Sequence, residues 1–204
     1  MAVECRAIPF QNPLSKVLRM SQTIRHALRL APLAAIALLA ACHTPALKPT
    51  PPSVVIPGNL RAPANESLVR TLWADGVQIY ECRKAADASF PEWVFLAPEA
   101  RLSDANGAPM GRHYAGPTWE ALDGSKVMGV VKAKVDAPDP HAIPWLLLQT
   151  HSTGKTGVFA RVTSIQRVAT VGGQPPATGC GSATIGKQER VPYTAQYAQY
   201  APAS

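Results

Sequence analysis

From Val77 onward the chain alternates. Val77, Ile79 and Glu81 fall on one face, and Gln78, Tyr80 and Cys82 on the other, the period of two that marks a strand. Asp75-Gly76 before it is a turn signal. Trp93-Val94-Phe95-Leu96 is a short apolar run ended by Pro98 and reads as the antiparallel partner. After a turn at Asp104-Ala105-Asn106-Gly107, three more strands are predicted: Met110–Tyr114, Thr118–Ala121 and Lys126–Val135. In the last, Val127, Gly129, Val131, Ala133 and Val135 share one face, and Lys126, Met128, Val130, Lys132 and Lys134 share the other.

Beyond the break at Pro138-Asp139-Pro140, Ile143–Gln149 is almost wholly apolar, the pattern of a strand buried on both faces. Pro144 has no N–H to give a ladder and belongs at a strand start or a bulge. Val158–Val168 is rich in β-branched residues, and Val191–Tyr200 closes the domain as an aromatic-rich strand. Asn65–Trp73, with Leu68 and Leu72 spaced i, i+4, reads either as a short helical turn or as the lead into the first strand. Glu99–Leu102 fits no single pattern. About seven or eight short strands, frequent turn signals and no long amphipathic helix predict an all-β domain, an antiparallel β-sandwich or small β-barrel.

The front of the chain follows different rules. Arg25 and Arg29 precede Leu30–Ala41, an uncharged stretch too short to span a bilayer and of the length of a signal-peptide core. It ends in Leu39-Ala40-Ala41-Cys42, which resembles the bacterial lipobox, so residues 1–41 are expected to be removed and Cys42 to be lipidated. A plain secretory signal is the rival reading. Met20 offers a second start, which would make residues 1–19 an upstream extension. A diacylated cysteine holds a protein at a membrane, because each buried methylene contributes roughly 0.8 kcal/mol. His43 follows, and the lack of Asp there leans toward the outer membrane, facing the periplasm. Residues 42–56 form a Pro-rich tether, and 57–200 the β domain.

Charge changes the picture little. The formal net charge is +7, but Arg6, Lys16, Arg19, Arg25 and Arg29 against Glu4 already give residues 1–41 a surplus of +4. No basic stripe remains in the domain, so nucleic acid is not an expected partner. Once Cys42 is lipidated, Cys82 and Cys180 remain as a pair. In an exported domain they are expected to form a disulfide, with two separate thiols as the alternative. No CxxC or HxH fixes a metal, and no cofactor is expected.

The candidate chemistry gathers in Met110–Gly129. His113, Tyr114, Trp119 and Glu120 beside the Gly116-Pro117 corner, with Asp123 and Trp145, make a candidate binding pocket. On a strand, His113 and Tyr114 point to opposite faces, so only one should face it. His113 with Asp123, Glu120 or His151 has the types for a general-base or metal site, and equally for a hydrogen-bonded structural histidine. Asp123, Ser125 and His151 have the types of a catalytic triad, but Asp-Gly-Ser is also an ordinary turn and no GxSxG is present.

An ordered set of motifs then carries a family resemblance. Gly76-Val77-Gln78-Ile79-Tyr80-Glu81-Cys82, Ala97-Pro98-Glu99-Ala100, Gly111–Glu120, Asp123-Gly124-Ser125, Ile143–Leu148, Ile165-Gln166-Arg167-Val168, Gly172-Gly173 and Val191–Ala195 resemble the uncharacterised DUF3455 family of bacterial exported proteins and fungi. The resemblance implies a single family domain and no activity. Some fungal members bear a malate dehydrogenase label, which the absence of a Gly-rich dinucleotide fingerprint rejects here. The reading is an envelope lipoprotein acting as a binding or interaction module for an unknown small molecule or envelope protein. The alternatives are a metal-dependent or hydrolytic enzyme centred on His113 and Asp123, and a periplasmic hydrolase inhibitor.

Overall fold

The computed structural model describes residues 54–203. The expected signal peptide, Cys42 and most of the tether lie outside them. Eight strands run in order: β1 (Glu66–Arg83), β2 (Glu92–Ser103), β3 (Pro109–Tyr114), β4 (Thr118–Ala121), β5 (Lys126–Val135), β6 (Trp145–Ser152), β7 (Ser164–Gly172) and β8 (Gln188–Pro202). Each pairs antiparallel with the next, and β8 returns to β1, closing an up-and-down barrel. Of the two predicted architectures, the barrel is the one formed. Closure removes the exposed ladder edges that an open sheet would present.

Several predicted elements are longer or of another kind. Asn65–Trp73 is not helical, because β1 runs for 18 residues and its first half pairs with β8. Pro98 does not end β2 but sits within it, opposite Gln78. There, among the described residues, β2 has β1 as its sole neighbour, since β3 pairs only with Ala100–Ser103, so the missing N–H deprives no second ladder. Val158–Val162 is a loop rather than the start of β7, in which Val158 and Arg161 stay exposed while its buried residues, Phe159 and Val162, plug one end of the barrel. Their apolar character reflects that burial and not pairing. In β5 the predicted single face breaks at a register shift between Val131 and Ala133, and an extra residue moves all later side chains to the other face. Lys134 therefore faces the interior side while Ala133 and Val135 face out.

Two apolar clusters result. The larger lies inside the barrel and includes Leu72, Leu102, Trp119, Val127, Leu148, Phe159, Ile165 and Tyr197. Gly129 leaves room for it. A Cβ there would lie 2.9 Å from the Trp119 ring and 3.1 Å from Leu148. The smaller lies outside the wall. Trp145, Leu147 and Val168 are covered there by Leu60, Val54 and Ile56, and Gln166 donates Nε2 to the Leu60 carbonyl at 2.6 Å. Ile143–Leu148 is thus buried on both faces, as its composition predicts, while Gln149 at the end of the run is exposed. The folded part begins by Val54, within the predicted tether.

Cys82 and Cys180 are bridged, with Cα atoms 5.3 Å apart. The bond ties β1 to the β7–β8 loop and closes a loop of 98 residues. Replacing both cysteines by alanine is expected to lower unfolding free energy by about 2–5 kcal/mol. Urea denaturation checks this, with the native protein in reductant as a second comparison; an unchanged midpoint would contradict it.

Candidate functional site

The barrel interior is filled at one end and open at the other. The filled end is closed by the β6–β7 loop, which is held by the β4–β5 turn. Asp123 accepts the Val158 N–H at 2.7 Å, and Ser125 Oγ accepts the Phe159 N–H at 3.0 Å while donating to Asp123 at 2.6 Å. Hydrogen bonds from Ser125 and Val158 hold the Asp123 carboxyl below its ordinary pKa. Arg70 lies over the Phe159 ring at 5.6 Å and donates to Gln199 Oε1 at 3.1 Å, completing the plug. Asp123 and Ser125 are a latch, turned toward the backbone of this loop.

At the other end lies a chamber of about 370 Å³, within the roughly 300–1,000 Å³ of small-molecule sites. Its walls are mostly apolar: Leu96 and Pro98 from β2, Trp119 from β4, Val131 from β5, Ile143, and Leu146 and Leu148 from β6. The polar groups are Gln78, Tyr80, His113, Arg167, Gln174, Tyr197 and, at the rim, Lys134. Its roof is fixed by cross-links. Tyr80 donates to the Gly173 carbonyl at 2.6 Å, Gln174 to the Ala142 carbonyl at 2.7 Å, and Trp93 to the Thr178 carbonyl at 3.0 Å. Gly173 has φ +82, and a Cβ there would lie 2.8 Å from that of Tyr193, so the roof backbone needs a glycine at this point.

The mouth follows from strand length. β3 and β4 have 6 and 4 residues. Above their Ala115–Pro117 turn, β2 before Glu99 pairs only with β1, and β5 after Gly129 pairs only with β6. The gap between these two edges is flanked by Phe95, Val131 and Lys134, with Gly116 and Pro117 as its sill. Phe95 is 48% and Val131 49% exposed, as expected at an apolar rim.

His113 stands inside, 3% exposed, stacked on Trp119 at 4.1 Å with the Tyr197 ring edge-on at 5.2 Å. Its Nδ1 lies 2.9 Å from the Thr118 carbonyl, which can only accept, so Nδ1 carries the proton. Burial depresses its pKa from 6.5 to about 3, against the Thr118 bond and helped by Arg167. The imidazole is neutral at physiological pH. Tyr193 and Tyr197 have pKa values raised by burial, so both phenols are protonated. Arg167 projects from β7 opposite Leu146 and Tyr197, and donates Nε and Nη2 to the Pro144 carbonyl at 3.1 and 2.8 Å.

Of the six residues predicted to form a pocket, the chamber contains His113 and Trp119. Tyr114 and Glu120 meet each other, but on the outer wall. Glu120 accepts from Tyr114 at 2.8 Å and Arg112 at 2.8 Å, and these bonds lower its pKa. The strand alternation already divides His113 from Tyr114. Asp123 serves the latch at the filled end, and Trp145 packs in the outer cluster. The structure therefore does not join His113 to Asp123, the pair on which an enzymatic reading was centred. No group of three metal-ligating side chains occurs among the described residues. Arg167, Gln78 and Tyr197 were not singled out as site residues in the sequence. Arg167 lies between Gln166 and Val168 on a strand whose two faces are both buried, so alternation did not mark it as an interior charge.

A model of the family described as a protein of unknown function, DUF3455, matches residues 63–201. The chain belongs to the DUF3455 family. That match covers the whole barrel from before β1 to within β8. No curated protein matches the chain, and no solved structure does. The DUF3455 barrel thus has to be understood from its own geometry.

His113 gives a test. The folded DUF3455 domain keeps it neutral down to about pH 3, while the unfolded chain protonates it near 6.5. Between those values the unfolded state binds more protons, so stability is complete above 6.5 and falls as pH drops. The slope approaches about 1.4 kcal/mol per pH unit. Urea midpoints from pH 7.5 to 5 should fall accordingly, and His113→Gln should flatten the profile. A profile unaltered by that substitution would contradict the assignment.

Proposed function

We propose that this DUF3455 protein is a binding module of the bacterial cell envelope that holds a small, largely apolar molecule in its barrel. The observation carrying this reading is the chamber: about 370 Å³, apolar walls, a few inward polar groups and a lateral mouth. An eight-stranded barrel is about the size whose interior can be filled by side chains or can hold one small ligand. Here half of it is plugged and half is left open. The disulfide and roof hydrogen bonds hold the open half in shape without a ligand, which limits the ordering cost of binding.

The envelope location rests on the lipobox-like Leu39-Ala40-Ala41-Cys42 and the apolar run before it. A bridged cysteine pair accords with export. Mass spectrometry of the mature protein should find residues 1–41 removed and diacylglycerol on Cys42, and Cys42→Ser should move the protein to the soluble fraction. An unmodified Cys42 in a membrane-free product would contradict the anchor.

The binding reading is tested with N-phenyl-1-naphthylamine, a neutral apolar dye that fluoresces out of water. The purified protein should give a saturable enhancement with one site per chain. Gly129→Leu would drive the Trp119 and Leu148 side chains toward the chamber and should weaken binding by roughly tenfold or more. Non-saturating fluorescence, or a response unchanged by Gly129→Leu, would contradict the reading.

A further inference from the structure

We infer that the ligand is a monoanionic amphiphile, a carboxylate on an apolar body, with the carboxylate seated on Arg167. This rests on the reading of the chamber as a ligand site and assigns its head group.

Arg167 is a half-buried cation that forms no ion pair among the described residues. Among the described residues, no carboxylate side chain lines the chamber. Its aromatic neighbours supply no negative charge either, because burial keeps the Tyr193 and Tyr197 phenols protonated. His113 adds no positive charge, since its ring is neutral. The interior therefore carries one cation without an anion. Such a charge is costly in a low-dielectric setting unless it is paired.

The unused hydrogen-bonding capacity has the matching sign. Nε and one Nη2 proton of Arg167 are committed to the Pro144 carbonyl. The Nη1 protons and the second Nη2 proton complete no bond among the described residues, though Arg167 lies near enough to the Tyr197 hydroxyl to oppose the rise of its pKa, and they form the end-on fork that suits a carboxylate. Gln78 is 2% exposed and Trp119 1% exposed, and Gln78 Nε2 and Trp119 Nε1, which have no hydrogen-bond partner among the described residues, are covered from the chamber's free space. Gln78 Nε2 lies near enough to the Tyr193 hydroxyl to oppose the rise of its pKa, but completes no bond. The Arg167 donors, on the wall of an apolar chamber that holds no carboxylate among the described residues, point to an acceptor that arrives with the ligand. The acceptor is a carboxylate rather than a phosphate. A phosphate monoester brings nearly two negative charges, and the chamber holds one inward cation, with Lys134 exposed at the mouth. Beyond the head, Leu146, Leu148 and Val131 offer nothing but apolar surface.

Isothermal titration of the purified protein tests this with decanoate and 1-naphthylacetate, each against its methyl ester, and with N-phenyl-1-naphthylamine as the neutral reference. At least one acid should bind about tenfold or more tightly than its ester. Arg167→Met should abolish that preference while leaving binding of the neutral dye. Arg167→Gln, which removes the charge but keeps an amide donor, should do the same, and it carries the test should Arg167→Met fail to fold. Equal affinity for acid and ester, with the dye bound, would overturn the head-group assignment and leave the ligand chamber standing. An acid preference that survives Arg167→Met would also overturn it. Binding of none of these probes would overturn both.

Discussion

A sheet that closes on itself must give every strand two neighbours, and strand length decides where that fails. β1 and β8 are long, and they pair from Glu66 opposite Pro202 to Glu81 opposite Gln188. β3 and β4 are short. The seam made by β1 and β8 holds the barrel shut, while the short hairpin leaves a notch in the opposite wall. The position of the mouth, the tolerance of Pro98 within β2 and the exposure of Phe95 and Val131 all follow from this mismatch.

The interior is divided accordingly. Away from the notch, Phe159 and Val162 are drawn into the barrel by the Asp123–Ser125 latch, and the space is filled with apolar side chains. Beneath the notch, the β7–β8 and β5–β6 loops are tied to each other and to β1, and they roof a space instead of filling it. A bulge in β7, where Ala169 takes φ 48, separates the paired segment bearing Arg167 from the one that joins the roof. The open half is held by bonds from the Tyr80 and Gln174 side chains to backbone carbonyls and by the Cys82–Cys180 bond.

Much of the fold was legible because alternation and turns are local signals. Thr118–Ala121 and Lys126–Val135 are the strands their patterns predict. The disulfide was legible as arithmetic on a chain read as exported. What failed was information carried by distant contacts. The β-branched run at Val158 was read as a strand because a buried plug and a buried strand share a composition. The Val131–Ala133 shift was invisible, since one extra residue leaves the alternation intact on either side. In the site, the same alternation that placed His113 apart from Tyr114 was correct, while the register that sets Trp119 opposite His113 across the Gly116-Pro117 corner was not read from the sequence. Asp123 misled because its carboxylate accepts backbone N–H groups from a loop 35 residues away. Arg167 escaped notice because its strand is buried on both faces by different partners, the barrel interior and the segment around Leu60.

The central claim is that the barrel keeps an open chamber at one end, with the Arg167 guanidinium inside it and without a protein carboxylate. A crystal structure of the purified protein, fine enough to show ordered water, tests it most directly. The expected result is a chamber reached between Phe95 and Val131, with Arg167 on the Pro144 carbonyl and its remaining donors met by solvent or by a bound anion. A chamber filled by Trp119, Leu146 and Tyr197, or Arg167 paired to an Asp or Glu of the chain, would contradict it.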